Sequence, residues 1–183
     1  MQLKFREDKT TQAAARLLKL AGGTMNHMKL VKLLYFLDRA SLLKSGRPVS
    51  FDSYFALPHG PVLSFTLDRI NEDPDPDAPS YWHRHISERR GHGVELMADT
   101  LPSDQLSEAE EALIDEIFSR YGGMSQWEIR DYSHTLPEWR DPQGSSLPIL
   151  ISDILAAEGF REEDIREIEE TLQAEMVADR LLS

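Results

Sequence analysis

Apolar residues recur at helical spacing along most of this chain, and the densest such stretch spans residues 28–44. Within it, apolar side chains occupy almost every position except one sector, which carries Lys29, Lys32, Arg39 and Lys44. A helix that is apolar around most of its circumference is normally buried by the rest of the fold. The pattern therefore predicts a central, buried helix over this stretch.

Weaker periodic stretches on both sides predict further helices. They cover residues 9–21, 61–71, 147–157 and 162–182, together with two segments that open at Ser107 and Ser125. Each of these serines precedes a glutamate by three positions, which is the capping-box signature of a helix start. The chain is thus expected to be mainly helical.

Strand signals are fewer than helix signals. A strand-like run of apolar and aromatic residues ends at Leu57, and residues 81–98 predict a β-hairpin with its turn near residues 90–93. We therefore expect an α+β fold, mainly α, in which this strand and this hairpin form a small antiparallel β-sheet.

A turn, Pro58-His59-Gly60-Pro61, separates the strand-like run from the helix predicted over residues 61–71. The two prolines fix φ, the glycine permits a sharp reversal, and Pro61 suits the first turn of the following helix. The turn should be rigid, and it should present His59 at its apex.

Asp38 breaks the apolar pattern of the central helix. Its direction falls inside the apolar arc, and burying a carboxylate without a partner is costly. We expect Asp38 to be buried and to pair with Arg47, His59 or His134. Such a pair would fix the turn against the central helix.

Length and composition narrow the classes of protein. The chain has 183 residues, of which 40% are hydrophobic, so we expect a single domain over residues 1–183 with an acidic C-terminal helix at 161–183. The absence of cysteine excludes a disulfide framework, a thiolate nucleophile and a cysteine zinc site. The first residues lack a signal-peptide pattern and no apolar run is long enough for a membrane span, so we expect a cytoplasmic protein.

The formal net charge of −12 bears on the partner. Nucleic-acid binding draws much of its affinity from Lys and Arg on phosphates, so this charge argues against a nucleic-acid partner and favours a basic protein. A DNA-binding autorepressor is an alternative, and the sector with Lys29, Lys32, Arg39 and Lys44 is its best candidate surface.

No catalytic motif stands out. The chain lacks a glycine-rich phosphate loop, a His-Glu-x-x-His motif and a nucleophile elbow. His83 and His85 fall on one face of the predicted hairpin, but a metal site needs complete ligation and geometry rather than one histidine pair. We expect a protein that is not an enzyme and binds no metal or cofactor. The rival is a hydrolase-like enzyme in which Asp38, His59 and His134 converge.

Two motifs together resemble a known family. The first is the segment KLVKLLYFLDRASLLKSGRP followed by Asp52-x-Tyr54-x-Ala56-Leu57-Pro58-His59-Gly60-Pro61-Val62. The second is Tyr132-Ser133-His134 followed by Trp139. They resemble the Panacea domain family, which includes SocA-like antitoxins and GepA-type phage-associated proteins.

The resemblance implies a toxin–antitoxin setting. A domain of this kind neutralises a toxin, encoded by a neighbouring gene, by binding it, and in some members by delivering it to an AAA+ protease. Both routes stay open for this chain. The residues that we expect to contact the toxin are Tyr54, His59, Trp139 and Arg140. The residues that we expect to build the structural motif behind them are Asp38, Pro58, Gly60, Pro61 and His134.

Overall fold

The structure is a computed structural model that describes residues 4–97 and 103–182. Its helices are α1 (Glu7–Leu20), α2 (His27–Ser45), α3 (Ser64–Asn71), α4 (Tyr81–His85), α5 (Glu108–Tyr121), α6 (Gln126–Ser133), α7 (Ile151–Ala157) and α8 (Glu162–Leu182). Its strands are β1 (Thr24–Asn26), β2 (Tyr54–Leu57), β3 (Gly60–Leu63), β4 (Gly93–Glu95) and β5 (Leu147–Ile149). The expected fold class, mainly helical α+β with small antiparallel sheets, is confirmed.

The apolar stretch forms α2, and α2 lies at the centre of the fold. The Asn26 side chain caps it by accepting hydrogen bonds from the N–H groups of Met28 and Lys29. The helix ends at Gly46, whose φ of 71° is left-handed and suits glycine. α2 packs against α1, α5, α6 and β3, and its apolar residues belong to one continuous hydrophobic core. The prediction of a central buried helix is confirmed.

The two sheets are small and both are antiparallel. The three-stranded sheet has the order β3-β2-β5, and the two-stranded sheet pairs β1 with β4. The expectation that the strand ending at Leu57 pairs with a hairpin over residues 81–98 is therefore wrong. β2 takes its partners from residues 60–63 and 147–149, while residues 93–95 pair with a strand that lies before α2.

The first arm of the expected hairpin is the helix α4. Ser80 caps it, because its hydroxyl accepts a hydrogen bond from the N–H of His83, and Trp82 is completely buried in the core. Within the described residues no continuous ladder joins the two arms; Ile86 and Leu96 form an isolated bridge. The end of the expected hairpin, Ala98, lies outside the described residues.

The helix predicted over residues 61–71 begins at Ser64 instead, because residues 60–63 form β3. β2 and β3 make a tight hairpin in which Leu57 pairs with Gly60, so that only Pro58 and His59 connect the strands. Asp52, which precedes β2, binds the first turn of α3. Its carboxylate accepts hydrogen bonds from the N–H groups of Phe65 and Thr66, both at 2.9 Å, which satisfies two free donors of the first turn.

The C-terminal part of the chain contributes residues of β5, α7 and α8 to the hydrophobic core. Residues 147–157 divide into β5 and α7, and α7 contacts α8. Ile165 and Leu172 form the buried stripe of α8, while most of its glutamates are exposed, as the amphipathic pattern predicts. Among the helices of residues 4–97 and 103–182, none combines the length and hydropathy needed to cross a bilayer.

Candidate functional site

Asp38, on the buried face of α2, holds the loop that follows this helix. The residue is 1% exposed. Its carboxylate accepts hydrogen bonds from the N–H groups of Val49 and Ser50 at 2.9 Å, from the Ser50 hydroxyl, and from the Tyr54 hydroxyl at 3.1 Å. Burial raises the pKa of Asp38 to about 6, although its hydrogen-bond donors favour the charged form.

The expected burial of Asp38 is confirmed, but its expected pairing with Arg47, His59 or His134 is wrong. Because the chain reverses directly after α2, the N–H groups of the loop reach the carboxylate and satisfy it without a cation. Arg47 pairs instead with Glu175, at 2.9 Å. Asp38 therefore does not fix the histidine turn.

A second charged residue of α2 supports that turn. Lys32 is 1% exposed, and its ammonium donates a hydrogen bond to the carbonyl oxygen of Pro61 at 2.6 Å. Burial lowers the pKa of Lys32 to about 7. The side chain thus reaches from the central helix to the backbone of β3, directly beside the turn.

Gly60 closes the turn in a space that admits no side chain. Its φ is 97°, in the left-handed region. A Cβ at this position would overlap the hydroxyl oxygen of Ser133 and would lie 2.8 Å from Nζ of Lys32. Ser133 is completely buried at the end of α6, where its hydroxyl donates to the carbonyl of Arg130 at 2.7 Å. The turn is therefore packed between α2 and α6.

The end of α6 supplies the other wall of the site. His134 stacks on Trp139, with ring centroids 4.1 Å apart and planes 13° apart. The indole N–H of Trp139 donates to the carbonyl of Leu57, the last residue before the turn, at 3.2 Å. Two motifs that lie about 75 residues apart in the sequence thus meet at one hairpin.

The surroundings of His134 disfavour its charged form. Burial lowers the pKa of His134, and the nearby charge of Lys32 lowers it further. The Nε2 atom of His134 is buried and has no hydrogen-bond partner within the described part of the chain. The neutral imidazole is therefore the favoured form, packed flat on Trp139.

The predicted contact residues fall into two groups. His59 and Arg140 are exposed, and Trp139 is partly exposed, so these side chains are open to a partner. Pro58, which we expected behind the turn, is exposed beside His59 instead. Tyr54 is 4% exposed and donates to Asp38, which leaves it beneath the surface and removes it from the expected contact set. Among the residues expected behind the turn, Gly60 and Pro61 are buried and His134 is half-buried.

The cation sector of α2 does not form a DNA surface. Lys32 is buried, Lys29 donates to the carbonyl of Gly122 at 2.6 Å, and Arg39 pairs with the carboxylates of Glu138 and Glu158. Only Lys44, the last of the four cations, is exposed. The sector faces other elements of the fold, so it leaves the autorepressor hypothesis without its expected surface.

The rival catalytic trio does not assemble either. The hydrogen bonds of Asp38 go to the loop and to Tyr54, and none in the described residues joins it to His59 or His134. His83 and His85 lie on a helix rather than on one face of a strand. Across residues 4–97 and 103–182, no group of three or more His, Asp or Glu side chains is arranged to hold a metal ion.

Sequence reasoning missed two side chains that support the site. The carboxylate of Glu138 is fully buried and accepts hydrogen bonds from Arg39 at 2.8 Å and from the Tyr35 hydroxyl at 2.9 Å. Its position next to Trp139, within the second family motif, was the sequence feature that could have identified Glu138. Trp127 was also missed as a surface residue; it is 53% exposed, with the guanidinium of Arg130 5.1 Å above its ring.

Comparison with known proteins identifies the family. The family model described as "Antitoxin SocA-like, Panacea domain" matches residues 30–140, which include most of α2, the turn and the segment from Ser133 to Trp139. No curated protein and no solved structure matches the chain at a significant level. The matched region covers more than half of the 183 residues and contains both walls of the site. The chain therefore belongs to the SocA-like antitoxin family with a Panacea domain.

Proposed function

We propose that this protein is an antitoxin that neutralises a cognate protein toxin by forming a direct complex with it. Membership of the SocA-like family supports the antitoxin role. The observation that carries the binding mechanism is the convergence of both family motifs on one exposed turn. Pro58 and His59 stand at its apex, while Gly60, Pro61 and Ser133 are buried behind it. A rigidly supported, exposed apex is the arrangement of a recognition element.

The surface around the apex has the composition of an interaction site. Trp139 and Arg140 lie beside the turn, and Trp127 with Arg130 extends the surface along α6. Binding energy at protein interfaces concentrates in a few Trp, Tyr and Arg side chains. We therefore assign the toxin contact to this face, with His59, Trp139 and Arg140 at its centre. We call it the turn face.

Net charge favours a basic toxin. The chain carries 32 acidic and 20 basic residues, and α8 exposes several glutamates. Opposite charges accelerate diffusional encounter, and salt screens this effect over about 10 Å at 0.1 M. The association rate with the toxin should therefore fall as salt rises, while the dissociation rate should change less because close contacts set it.

Two routes of neutralisation are compatible with a direct complex. The antitoxin covers the active surface of the toxin, or it delivers the bound toxin to an AAA+ protease. The two routes differ in what happens to the toxin. In the first the toxin persists as a stable complex, and in the second its amount falls only when the protease is present.

The test is expression of the neighbouring reading frame with and without this chain. We expect toxicity alone, rescue by co-expression, and co-purification of the two proteins. Without a protease, rescue should need roughly equal amounts of both proteins, because occupancy follows mass action. Rescue at far substoichiometric amounts without a protease would indicate catalysis. A neighbour that is harmless alone, or rescue with neither a complex nor loss of toxin, would exclude the binding mechanism.

The turn face is tested by surface variants in the same assay. His59→Ala and Arg140→Ala should each weaken the complex about tenfold, which is the effect of losing one moderate interface anchor. Lys19→Ala, at an exposed position of α1, is the matched control and should bind like the unchanged protein. Equal affinities for all three variants would place the contact elsewhere.

A further inference from the structure

Lys32 is a buried cation with little local reason to be a lysine. It lies in the second turn of α2 among core residues, and its hydrogen bond to Pro61 is the only one it makes within the described residues. An ammonium group has three donors, and burying it with one acceptor is unfavourable. A methionine has a similar length and would fill the same space without a charge. The lysine therefore contributes something other than stability.

The acceptor of Lys32 indicates what it contributes. β3 is an edge strand of the three-stranded sheet, where backbone groups lack a neighbouring strand on one side. Pro61 has no N–H to donate, so its carbonyl group is the only backbone group through which it can form a hydrogen bond. Lys32 binds that carbonyl at 2.6 Å and so joins the edge strand to the central helix.

The packing around Gly60 completes the support. Lys32 approaches the Gly60 Cα from α2, and the Ser133 hydroxyl approaches it from α6. A Cβ on Gly60 would lie 2.8 Å from Nζ and 3.2 Å from Cε of Lys32, so the backbone fits between the two side chains only as glycine. The residue directly before Gly60 is His59, at the exposed apex.

We propose that Lys32 is a positioning residue, which with Ser133 holds the Pro58-His59 apex in the conformation that the toxin recognises. The proposal rests on the proposed function, because it assigns the turn face to the toxin. Lys32 itself is buried and does not contact the partner. Its burial lowers the stability of the fold, and in return the turn is presented in one defined conformation.

The experiment compares Lys32→Met with Lys29→Met. Lys29 lies one turn earlier on α2 and also donates to a backbone carbonyl, that of Gly122, at 2.6 Å, away from the hairpin. Three quantities are measured in the full-length variants: the melting temperature, amide hydrogen exchange at His59, Gly60 and Val62, and affinity for the toxin.

We expect Lys32→Met to melt at or above the temperature of the unchanged protein. Its turn amides should exchange at least tenfold faster, and its affinity for the toxin should fall at least tenfold. Lys29→Met should leave both the turn amides and the affinity unchanged. A merely structural lysine would not separate these readouts, because its loss would lower the melting temperature and speed exchange throughout the core.

Several outcomes would overturn the positioning role. Turn amides that exchange at the original rate in Lys32→Met would show that the lysine does not hold the turn. A loosened turn with unchanged affinity would show that the toxin does not read its conformation. A lower melting temperature with exchange faster everywhere would make Lys32 a stabilising residue. If the unchanged protein binds no toxin, the proposed function fails, while hydrogen exchange still decides whether Lys32 holds the turn.

Discussion

Two buried charges on α2, Asp38 and Lys32, each hold the backbone of a neighbouring turn, but they do so in contrasting ways. Asp38 accepts four hydrogen bonds from Val49, Ser50 and Tyr54. Lys32 makes one hydrogen bond, to Pro61, within the described residues. Both are 1% exposed. Burial raises the pKa of Asp38 and lowers the pKa of Lys32, so in each case it favours the neutral form.

The difference lies in how completely each buried charge is satisfied by its surroundings. The donors around Asp38 satisfy its oxygens, and the loop they belong to includes Phe51, whose φ of 53° is unusual for a bulky residue. This carboxylate therefore stabilises an otherwise strained loop. Lys32 makes one of its three possible hydrogen bonds within the described residues and lies behind the exposed apex of the turn. This buried group that costs stability, placed beside an exposed turn, is the basis of the positioning role that we propose.

The largest expected effect is that of Asp38→Ala. The change leaves the N–H groups of Val49 and Ser50 and two hydroxyls without their acceptor, so we expect a loss of about 3 kcal/mol of unfolding free energy. Chemical denaturation measures this loss. Asp38→Asn keeps one oxygen acceptor and should lose less. A melting temperature unchanged by Asp38→Ala would mean that water takes the place of the carboxylate.

Gly60→Ala should give the next largest effect. The left-handed φ of 97° and the overlap of the new Cβ with Ser133 and Lys32 together should destabilise the fold by about 2 kcal/mol. Gly22→Ala is the control for the backbone effect alone, because Gly22 has a φ of 87° and open space around it. Equal losses for the two variants would show that the packing around Gly60 is loose.

A pH series on Lys32→Met sharpens the contrast further. The pKa of Lys32 falls from 10.5 to about 7 on folding, so between these values the unfolded chain binds the extra proton. The stability of the unchanged protein relative to the variant should therefore rise from pH 7 to pH 10.5, by up to about 1.4 kcal/mol per pH unit. Denaturation midpoints of both proteins across this range provide the measurement. A pH-independent difference would mean that Lys32 titrates as an exposed lysine.

Local chemistry explains which parts of the fold were predictable. The capping boxes at Ser107 and Ser125 and the apolar pattern of α2 act within a few residues, and all of them appear in the structure. The hairpin prediction failed because partners distant in sequence decided it. β4 pairs with a strand about 70 residues earlier, and the burial of Trp82 favours a helix.

The sequence indicated which charged residues of α2 stand out, but not what they pair with. Helical periodicity grouped Lys29, Lys32 and Arg39 in one polar sector, yet it contains no information about what covers that sector. α5 and α6 pack against α2, so these cations are engaged with backbone carbonyls and with Glu138 rather than with solvent. The same limit applies to Asp38, whose donors come from backbone N–H groups that no sequence pattern marks.

The smallest expected effect, that of Tyr54→Phe, tests how completely Asp38 is satisfied. The change removes one of four donors, at 3.1 Å, so we expect the unfolding free energy to fall by only about 1 kcal/mol.

The same variant should also change the titration of Asp38. The Tyr54 hydroxyl is among the groups that lower the pKa of Asp38, so its removal should raise that pKa above about 6. A carboxyl whose folded pKa exceeds its ordinary 3.8 contributes stability at low pH and loses it as pH rises through the folded pKa. The variant should therefore lose this stability over a wider pH range than the unchanged protein, and denaturation at several pH values measures that loss. Titration of the Asp38 carboxyl carbon by NMR measures the change in pKa itself. Tyr35→Phe is the matched control, because the Tyr35 ring lies 5.7 Å from Tyr54 but its hydroxyl donates to Glu138. A shift of the Asp38 titration in both variants, or in neither, would show that the Tyr54 hydrogen bond does not set the charge state of this carboxylate.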